Sequence, residues 1–365
     1  MKKLKSVFIF SLAVALLTSS CEDAYNIEQP GEVNEESLKT VSDLQSYLNA
    51  AVYASLDLTS EIGFTGIVTD ETGVGKSNGL SDLDTHRWQL NSDNGYSFGI
   101  WWGKYNTINR VNRTIRIANK IGVPTDPTQL AQYNSILAEA RAIRAFAYLD
   151  LLTYFSPDMT NDNATGVMYL GDDVPGVDDM YARSTNGVIF TAIEADLNFA
   201  YANVASSNDY KHVTKLMIDA LRARMYLYRG NHTLAKQYAQ SVISTSGLTL
   251  ALATPVPSPA PTNPNYSVIV ASNPLTVGAP TAAWNTAFYN YNSTSAVTPY
   301  RRMFADLPTG NSRYEIIFAL DRPTSGTWGN IAAAFTQNTT TANGSPRWEV
   351  SRFSFQYFKR CSWRC

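Results

Sequence analysis

The stretch AEARAIRAFAYLDLLTYF, residues 138–155, decides the fold class. Apolar side chains recur every three or four positions along it, and this spacing predicts an α-helix over residues 130–155. Small and large apolar residues cover two faces of that helix, so we expect it to be packed among other helices. The predicted core stripe consists of Ile136, Ala140, Ile143, Ala147 and Leu151, with Leu137, Tyr148 and Leu152 beside it.

Helical spacing recurs on both sides of this stretch. A first helix is expected to begin at Ser42, because Ser42 and Gln45 have the spacing of a capping box. The segments between the helices, residues 59–96 and 156–185, are rich in Gly, Asn, Asp and Ser and are predicted to be irregular. Further helices are predicted over residues 101–122, 189–200, 213–228 and 233–244.

Two of these helices match a repeat template. Ala223, Tyr226, Gly230 and Ala235 have the spacing of the small residue, aromatic, turn residue and second-helix alanine of a tetratricopeptide motif. Antiparallel helices pack closely only where small side chains face each other, and Asn231 can cap the second helix. The predicted fold is therefore all-α, a tetratricopeptide-like scaffold with long irregular loops and one short strand, YEIIFAL at residues 314–320.

The N-terminus has the layout of a secretory signal. MKKLKSVFIFSLAVALLTSSC, residues 1–21, combines three lysines, a short apolar run and small residues before a cysteine. The apolar run is too short to span a bilayer. We expect a lipoprotein signal at residues 1–20, lipid attachment at Cys21 and a flexible acidic spacer at residues 21–36. The alternative is an ordinary signal followed by a chance cysteine.

Composition excludes several classes of function. The net charge of −2 argues against nucleic-acid binding, which requires a concentrated basic face. Beyond Cys21 the chain has two cysteines, Cys361 and Cys365, which could form a disulfide or remain free thiols. Since no histidine lies near them, a metal site there is not expected.

The motifs of common enzyme classes are incomplete or missing. GVGKS at residues 73–77 resembles the end of a phosphate-binding loop, but Asp70 stands where that loop needs glycine. The sequence contains no HExxH motif, so it does not support a zinc hydrolase of that type. We expect no cofactor.

Loop carboxylates leave one enzymatic alternative open. Asp82 with Asp84, or Asp172 with Asp173, could form the acid pair of a glycosidase, although solvated loop acids are the preferred interpretation. The same Asp- and Asn-rich loops could hold calcium through oxygen ligands, but none of them has the spacing of a known calcium loop.

Aromatic residues carry the remaining signal, with 21 Tyr, 15 Phe and 7 Trp in the chain. A flat aromatic ring covers the C–H face of a sugar while neighbouring polar side chains bond its hydroxyls. The alternative for any one of them is an aromatic ring that fills a gap beneath a loop, and Trp101 and Tyr105 are assigned to core packing. The candidate ligand-binding residues are Arg87, Trp88, Asn94, Tyr96, Trp284, Tyr289, Tyr291 and Trp328.

The order of segments resembles one known family. The segments are the signal, TVSDLQSYLNAAVYASL, WWGKYNTINRVN, AEARAIRAFAYLDLLTYF, DLNFAYANV, ALRARMYLYRGNHTLAKQYAQSVI and EIIFAL. Over most of residues 1–320 they resemble the SusD/RagB family of outer-membrane nutrient-binding lipoproteins of Bacteroidetes. The most specific part is the quoted helix with Glu139, Arg141 and Arg144.

The resemblance implies a function and a partner. It implies a non-catalytic lipoprotein at the cell surface, anchored through Cys21, that captures glycan or another oligomeric nutrient for a SusC-type TonB-dependent transporter. It also implies a SusD-type helical domain over residues 37–250 and a loop-rich region, residues 251–365, that is incomplete relative to the family. The alternative function is a tetratricopeptide-type scaffold that binds envelope proteins.

Overall fold

The computed structural model describes residues 35–91, 93–176, 178–248, 316–320 and 347–350. Helices dominate this part of the chain, and none of the described helices is long and apolar enough to cross a membrane. The helices are α1 Val41–Tyr47, α2 Thr59–Val68, α3 Leu83–His86, α4 Gly95–Ile121, α5 Pro127–Phe155, α6 Asn186–Asn203, α7 Lys215–Tyr228 and α8 His232–Thr245. A 3₁₀ turn, Glu35–Ser37, precedes α1, and a π-helical segment, Leu48–Tyr53, extends it.

Within the described residues, four short strands form two antiparallel pairs. The strands are β1 Thr72–Val74, β2 Thr165–Met168, β3 Arg183–Thr185 and β4 Trp348–Val350. Strand β1 pairs with β4, with Thr72 opposite Val350, and β2 pairs with β3. The predicted all-α, tetratricopeptide-like class with a minor β component is thus confirmed.

Helix α5 forms the centre of the bundle. It packs between α4 and α6, and all eight residues of the predicted core stripe and its flanks are buried. Asp126 caps its N-terminus by accepting from the backbone N–H of Gln129 at 2.9 Å, and Pro127 occupies the first helical position, which tolerates proline. Helices α7 and α8 form the predicted hairpin, with Asn231 accepting from the N–H of Leu234 at 3.1 Å.

The capping box of α1 differs from the one predicted. Thr40 is the N-cap, and the carboxylate of Asp43 accepts from the backbone N–H groups of Thr40 and Lys39 at 2.9 and 3.0 Å. The prediction of Ser42 with Gln45 was wrong because a carboxylate is a stronger acceptor than an amide, and so the box forms two residues earlier.

The segment predicted to be irregular at residues 59–96 contains α2, β1, α3 and the start of α4. Glycine permits this packing: a methyl group on Gly63 would overlap the ring of Tyr96, and one on Gly99 would overlap Ser60. Close contact with α4 stabilises α2 despite its two glycines, and this contribution is invisible to helix propensity. Residues 156–185 likewise contain β2 and β3.

The predicted strand at residues 314–320 is wrong for its described part. Residues 316–320 have no regular secondary structure, and the N–H of Ala319 donates to the carbonyl of Tyr210, a loop residue, at 3.0 Å. Ile317, Phe318 and Leu320 pack against the helical core instead. The apolar residues of this segment are therefore explained by packing against the core and not by strand pairing.

A buried guanidinium links three parts of the bundle. Arg144 of α5 donates from Nε and Nη2 to the two carboxylate oxygens of Asp196 on α6, at 2.7 and 2.8 Å. Its Nη1 lies 2.8 Å from Asn112 Oδ1, 2.9 Å from the carbonyl of Gly171 and 2.6 Å from Asp172 Oδ1. Burial alone would lower the pKa of Arg144, but Asp196 and Asp172 outweigh it and raise the pKa further above its usual range.

A second polar contact joins the π-helical segment to α5 and to the segment just before α7. The hydroxyl of Tyr53 donates to Glu139 Oε2 at 2.5 Å and accepts from the backbone N–H of Val213 at 2.9 Å. Burial raises the pKa of the Glu139 carboxyl, and the hydrogen bond from Tyr53 offsets this only in part. Two residues further along α5, Arg141 lies over the ring of Phe199, with its Cζ 4.3 Å from the ring centre.

Removing the buried partner of Arg144 should destabilise the protein far more than removing the exposed one. Asp196→Ala leaves a buried charge uncompensated and should cost about 3–5 kcal/mol of unfolding free energy. Asp172→Ala removes a carboxylate whose side chain is 57% exposed and should cost about 1 kcal/mol or less. Urea unfolding of both variants tests this. Equal losses would show that water hydrates Arg144.

The stability of a Glu139→Gln variant relative to the parent should depend on pH. A raised folded-state pKa means that the folded chain binds the proton more tightly, so ionisation of Glu139 destabilises the fold as pH rises above its ordinary value of 4.5. A glutamine side chain cannot ionise, and the variant should therefore gain relative stability as pH rises from that value. Tyr53→Phe removes the donor to the carboxylate and should lose relative stability over the same range. Unfolding free energies measured at several pH values test both; a pH-independent difference for Glu139→Gln would refute the assignment.

Candidate functional site

An exposed tryptophan marks the strongest candidate for a binding site. Trp88 is 68% exposed and follows the short helix α3 by two residues. The segment of residues 75–91, which includes α3, is here called the Trp88 loop. Its neighbour Arg87 is also exposed. An exposed aromatic ring offers an apolar surface, and the neighbouring guanidinium offers hydrogen-bond donors. These are the two kinds of surface that bind the C–H face and the hydroxyls of a sugar.

Buried polar groups hold the loop beneath Trp88. Asn94, 3% exposed, donates from Nδ2 to Thr85 Oγ1 at 2.7 Å and caps α4 by accepting from the N–H of Ser97 at 3.0 Å. The Nδ1 of His86 lies 3.0 Å from the carbonyl of Ile67, and since a carbonyl can only accept, Nδ1 carries the proton. These contacts tie the loop to both α2 and α4.

The same loop is also held by the segment at residues 347–350. The ring of His86 lies 5.3 Å from that of Trp348, which is 1% exposed. The carbonyl of Arg347 accepts from Asn78 Nδ2 at 3.1 Å and from the N–H of Gly75 at 2.8 Å. The indole of Trp88 therefore projects from a loop anchored at several points.

The backbone of this loop is strained. Leu80, Asp82 and Trp88 have φ values of 68°, 55° and 61°, in the left-handed region that side chains with a Cβ avoid. Each such residue costs on the order of 1–3 kcal/mol and persists only where its surroundings impose the conformation. Strain of this kind, concentrated in one exposed loop, is typical of binding sites.

The predicted site residues have different surroundings. Arg87 and Trp88 are exposed together, whereas Asn94 is buried and holds the loop. Tyr96 is half-buried against Gly63, and its hydroxyl lies 3.4 Å from Asp82 Oδ2; burial and this carboxylate raise the pKa of Tyr96 to about 12. The remaining predicted residues, Cys21, Trp284, Tyr289, Tyr291 and Trp328, lie outside the described residues.

Other chemical candidates have structural contacts. Asp84 Oδ2 lies 3.3 Å from Asn94 Nδ2, Asp172 pairs with Arg144, and the carbonyl of Asp173 accepts from Asn112. Residues 73–74 of the GVGKS motif belong to β1 rather than to a loop that opens a helix. Within the described residues, no group of three or more His, Cys, Asp or Glu side chains could hold a metal ion.

The sequence interpretation missed two exposed aromatic residues on α4. Phe98 and Trp102 are 61% and 59% exposed. Trp101 packs as predicted, with its ring 4.9 Å from those of Tyr105 and Phe155. The i, i+4 spacing of Phe98 and Trp102 could have revealed a second aromatic face, but the predicted helix begins at residue 101 and leaves Phe98 outside it.

Comparisons with known proteins reveal sequence and fold similarity to one group. No protein-family model matches the chain. A SusD-like protein from Bacteroides ovatus is 28% identical over 165 residues, which are 42% of this chain and 28% of that protein.

Two crystal structures from Bacteroides share the fold. A candidate sugar-binding protein from Bacteroides vulgatus has a TM-score of 0.51 and 22% identity, over 59% of this chain and 49% of that one. A SusD superfamily protein from Bacteroides thetaiotaomicron has a TM-score of 0.50 and 18% identity, over 58% and 48%. The similarity spans about half of each of these chains and less of the Bacteroides ovatus protein, and none of the three is named as an enzyme. The chain is therefore similar in sequence to a SusD-like protein and shares its fold with SusD superfamily structures.

Proposed function

We propose that the protein is a surface lipoprotein that binds oligosaccharides and delivers them to a SusC-type TonB-dependent transporter in the outer membrane. The observation that carries the proposal is Trp88, exposed on a strained loop that buried side chains hold in place. The description of the Bacteroides vulgatus relative as a candidate sugar-binding protein supports it.

The geometry of Trp88 suits sugar stacking. The indole can cover the C–H face of a pyranose, and the guanidinium of Arg87 can donate to the ring hydroxyls. Because Asn94, Thr85 and His86 already order the loop, binding would cost little conformational entropy. The step is capture without bond cleavage, and we assign no catalytic residue.

The N-terminal segment supports a surface anchor. Acylation of Cys21 would tether the helical body through the acidic spacer. Glu35, near the end of the proposed spacer, is held by Arg116, whose Nε donates to Glu35 Oε2 at 3.0 Å, and by Arg113. The spacer therefore joins the folded body next to α4.

Loss of the Trp88 ring should weaken glycan binding. Isothermal titration of the parent against a panel of neutral polysaccharides should identify a ligand, and Trp88→Ala should weaken its binding by about tenfold or more. Trp88→Gly should lose binding equally, yet unfold with about 1 kcal/mol more stability than Trp88→Ala, because glycine relieves the positive φ.

The control for this experiment is Met180→Ala, which truncates a side chain that is 96% exposed elsewhere. It should bind like the parent. Parent-like binding by Trp88→Ala would remove Trp88 from the site. If the parent binds no glycan but binds a folded envelope protein, the result would favour the scaffold alternative.

Acylation at Cys21 should be required for surface display. In a Bacteroides host fed a clickable fatty acid, the parent should carry the label and be accessible to protease on intact cells. Cys21→Ser should abolish both signals, because it removes the thiol that is acylated, while Cys361→Ser should retain them. An unlabelled parent, or a labelled Cys21→Ser variant, would refute the anchor.

A further inference from the structure

The exposed face at the start of α4 has an unusual composition. Phe98 and Trp102 lie one helical turn apart on the same face, and both rings are more than half exposed. Gly95, Gly99 and Gly103 surround them in the sequence, and a methyl group on Gly95 or Gly103 would meet nothing within 4 Å. The two exposed rings are here called the α4 platform, and solvent reaches both of them.

The platform carries no charge of its own. Residues 94–103, NGYSFGIWWG, contain no Asp, Glu, Lys or Arg. The next residue, Lys104, is 3% exposed and turned inward, with its Nζ 2.5 Å from Glu61 and 3.2 Å from Asp150. A charged ligand would therefore find no complementary group among these ten residues, whereas the C–H faces of a neutral sugar match the two rings.

The platform follows the Trp88 loop directly in the chain, and hydrogen bonds connect the loop to the start of α4. Asn94 caps α4 and bonds to Thr85, three residues before Trp88, while its carbonyl accepts from the N–H of Phe98 at 3.0 Å. Trp102 lies about 12 Å along the helix axis from Asn94, at 1.5 Å per residue. The loop that carries Trp88 is thus bonded to the first turn of the helix that carries Phe98 and Trp102.

We propose that the α4 platform is a second subsite, which binds the continuation of a neutral, linear oligosaccharide whose first sugar stacks on Trp88. This inference rests on the proposed function and names its substrate class. A disaccharide reaches only the Trp88 end, while a longer chain also covers Phe98 and Trp102. Two aromatic subsites on ordered elements that are bonded to each other select for chain length, because the second contact adds affinity without further ordering.

The test is a chain-length series measured with the full-length protein. The parent is first titrated with β-glucan, xylan, mannan and amylose, and the polysaccharide that it binds most tightly is chosen. This ligand is then titrated into the variants Trp88→Ala, Phe98→Ala/Trp102→Ala and Val123→Ala. Its disaccharide and hexasaccharide, and polygalacturonate, are titrated in parallel. Val123 is 69% exposed just beyond the far end of α4 and provides a matched control. Urea unfolding checks that each variant folds.

The expected result is a length-dependent loss. Phe98→Ala/Trp102→Ala should bind the hexasaccharide and polymer about tenfold more weakly and the disaccharide unchanged, and Val123→Ala should match the parent. Two results would overturn the second subsite but leave the proposed function. In the first, the double variant weakens binding of the disaccharide and the hexasaccharide equally. In the second, the double variant binds the polymer like the parent while Trp88→Ala does not bind it. A loss of polygalacturonate binding alone would overturn the neutral class. Failure of the parent to bind any saccharide would refute the proposed function itself.

Discussion

Arg144 lies in the middle of α5 with its guanidinium almost out of contact with water. Folding tolerates such a charge only where each donor finds an acceptor, and here the acceptors come from α4, α6 and the turn after β2. The two bonds to Asp196 fix the relative positions of α5 and α6, because a bidentate pair has one geometry. Apolar burial supplies the driving force for the bundle, but it is not directional, and this network therefore determines how the three helices align.

A second buried charge connects the bundle to the binding loop. Lys104 of α4 pairs with Glu61 of α2 and with Asp150 of α5, and all three residues are buried. Helix α2 is thereby held against the bundle, and the carbonyl of Ile67 near its end holds His86 of the Trp88 loop. The strained conformation at Trp88 thus depends on charges in the core, since a loose α2 would let the loop relax.

Much of the fold could be predicted from the sequence, because its strongest signals are periodic. The stripe of α5 and the α7–α8 hairpin follow from local spacing, and their burial follows from composition. The predictions failed where distant contacts decide: α2 forms because glycines admit Tyr96 and Ser60, and residues 316–320 meet a loop instead of a strand. The contact between Trp348 and His86 joins positions far apart in the chain, so it could not be predicted from any local sequence pattern.

The candidate site was harder to predict than the core because a single residue type serves both. Trp101 and Trp102 are adjacent and chemically identical, yet one packs against Phe155 and the other faces solvent. One step along a helix turns a side chain by about 100°, so the role of each is decided by the phase of α4 within the bundle. Asn94 has the converse position: it resembled a sugar-binding amide in the sequence, but its burial turns it into the group that caps α4 and holds Thr85. Polar residues that order a loop and aromatic residues that project from it occur together in the sequence, and only burial distinguishes the support from the binding surface.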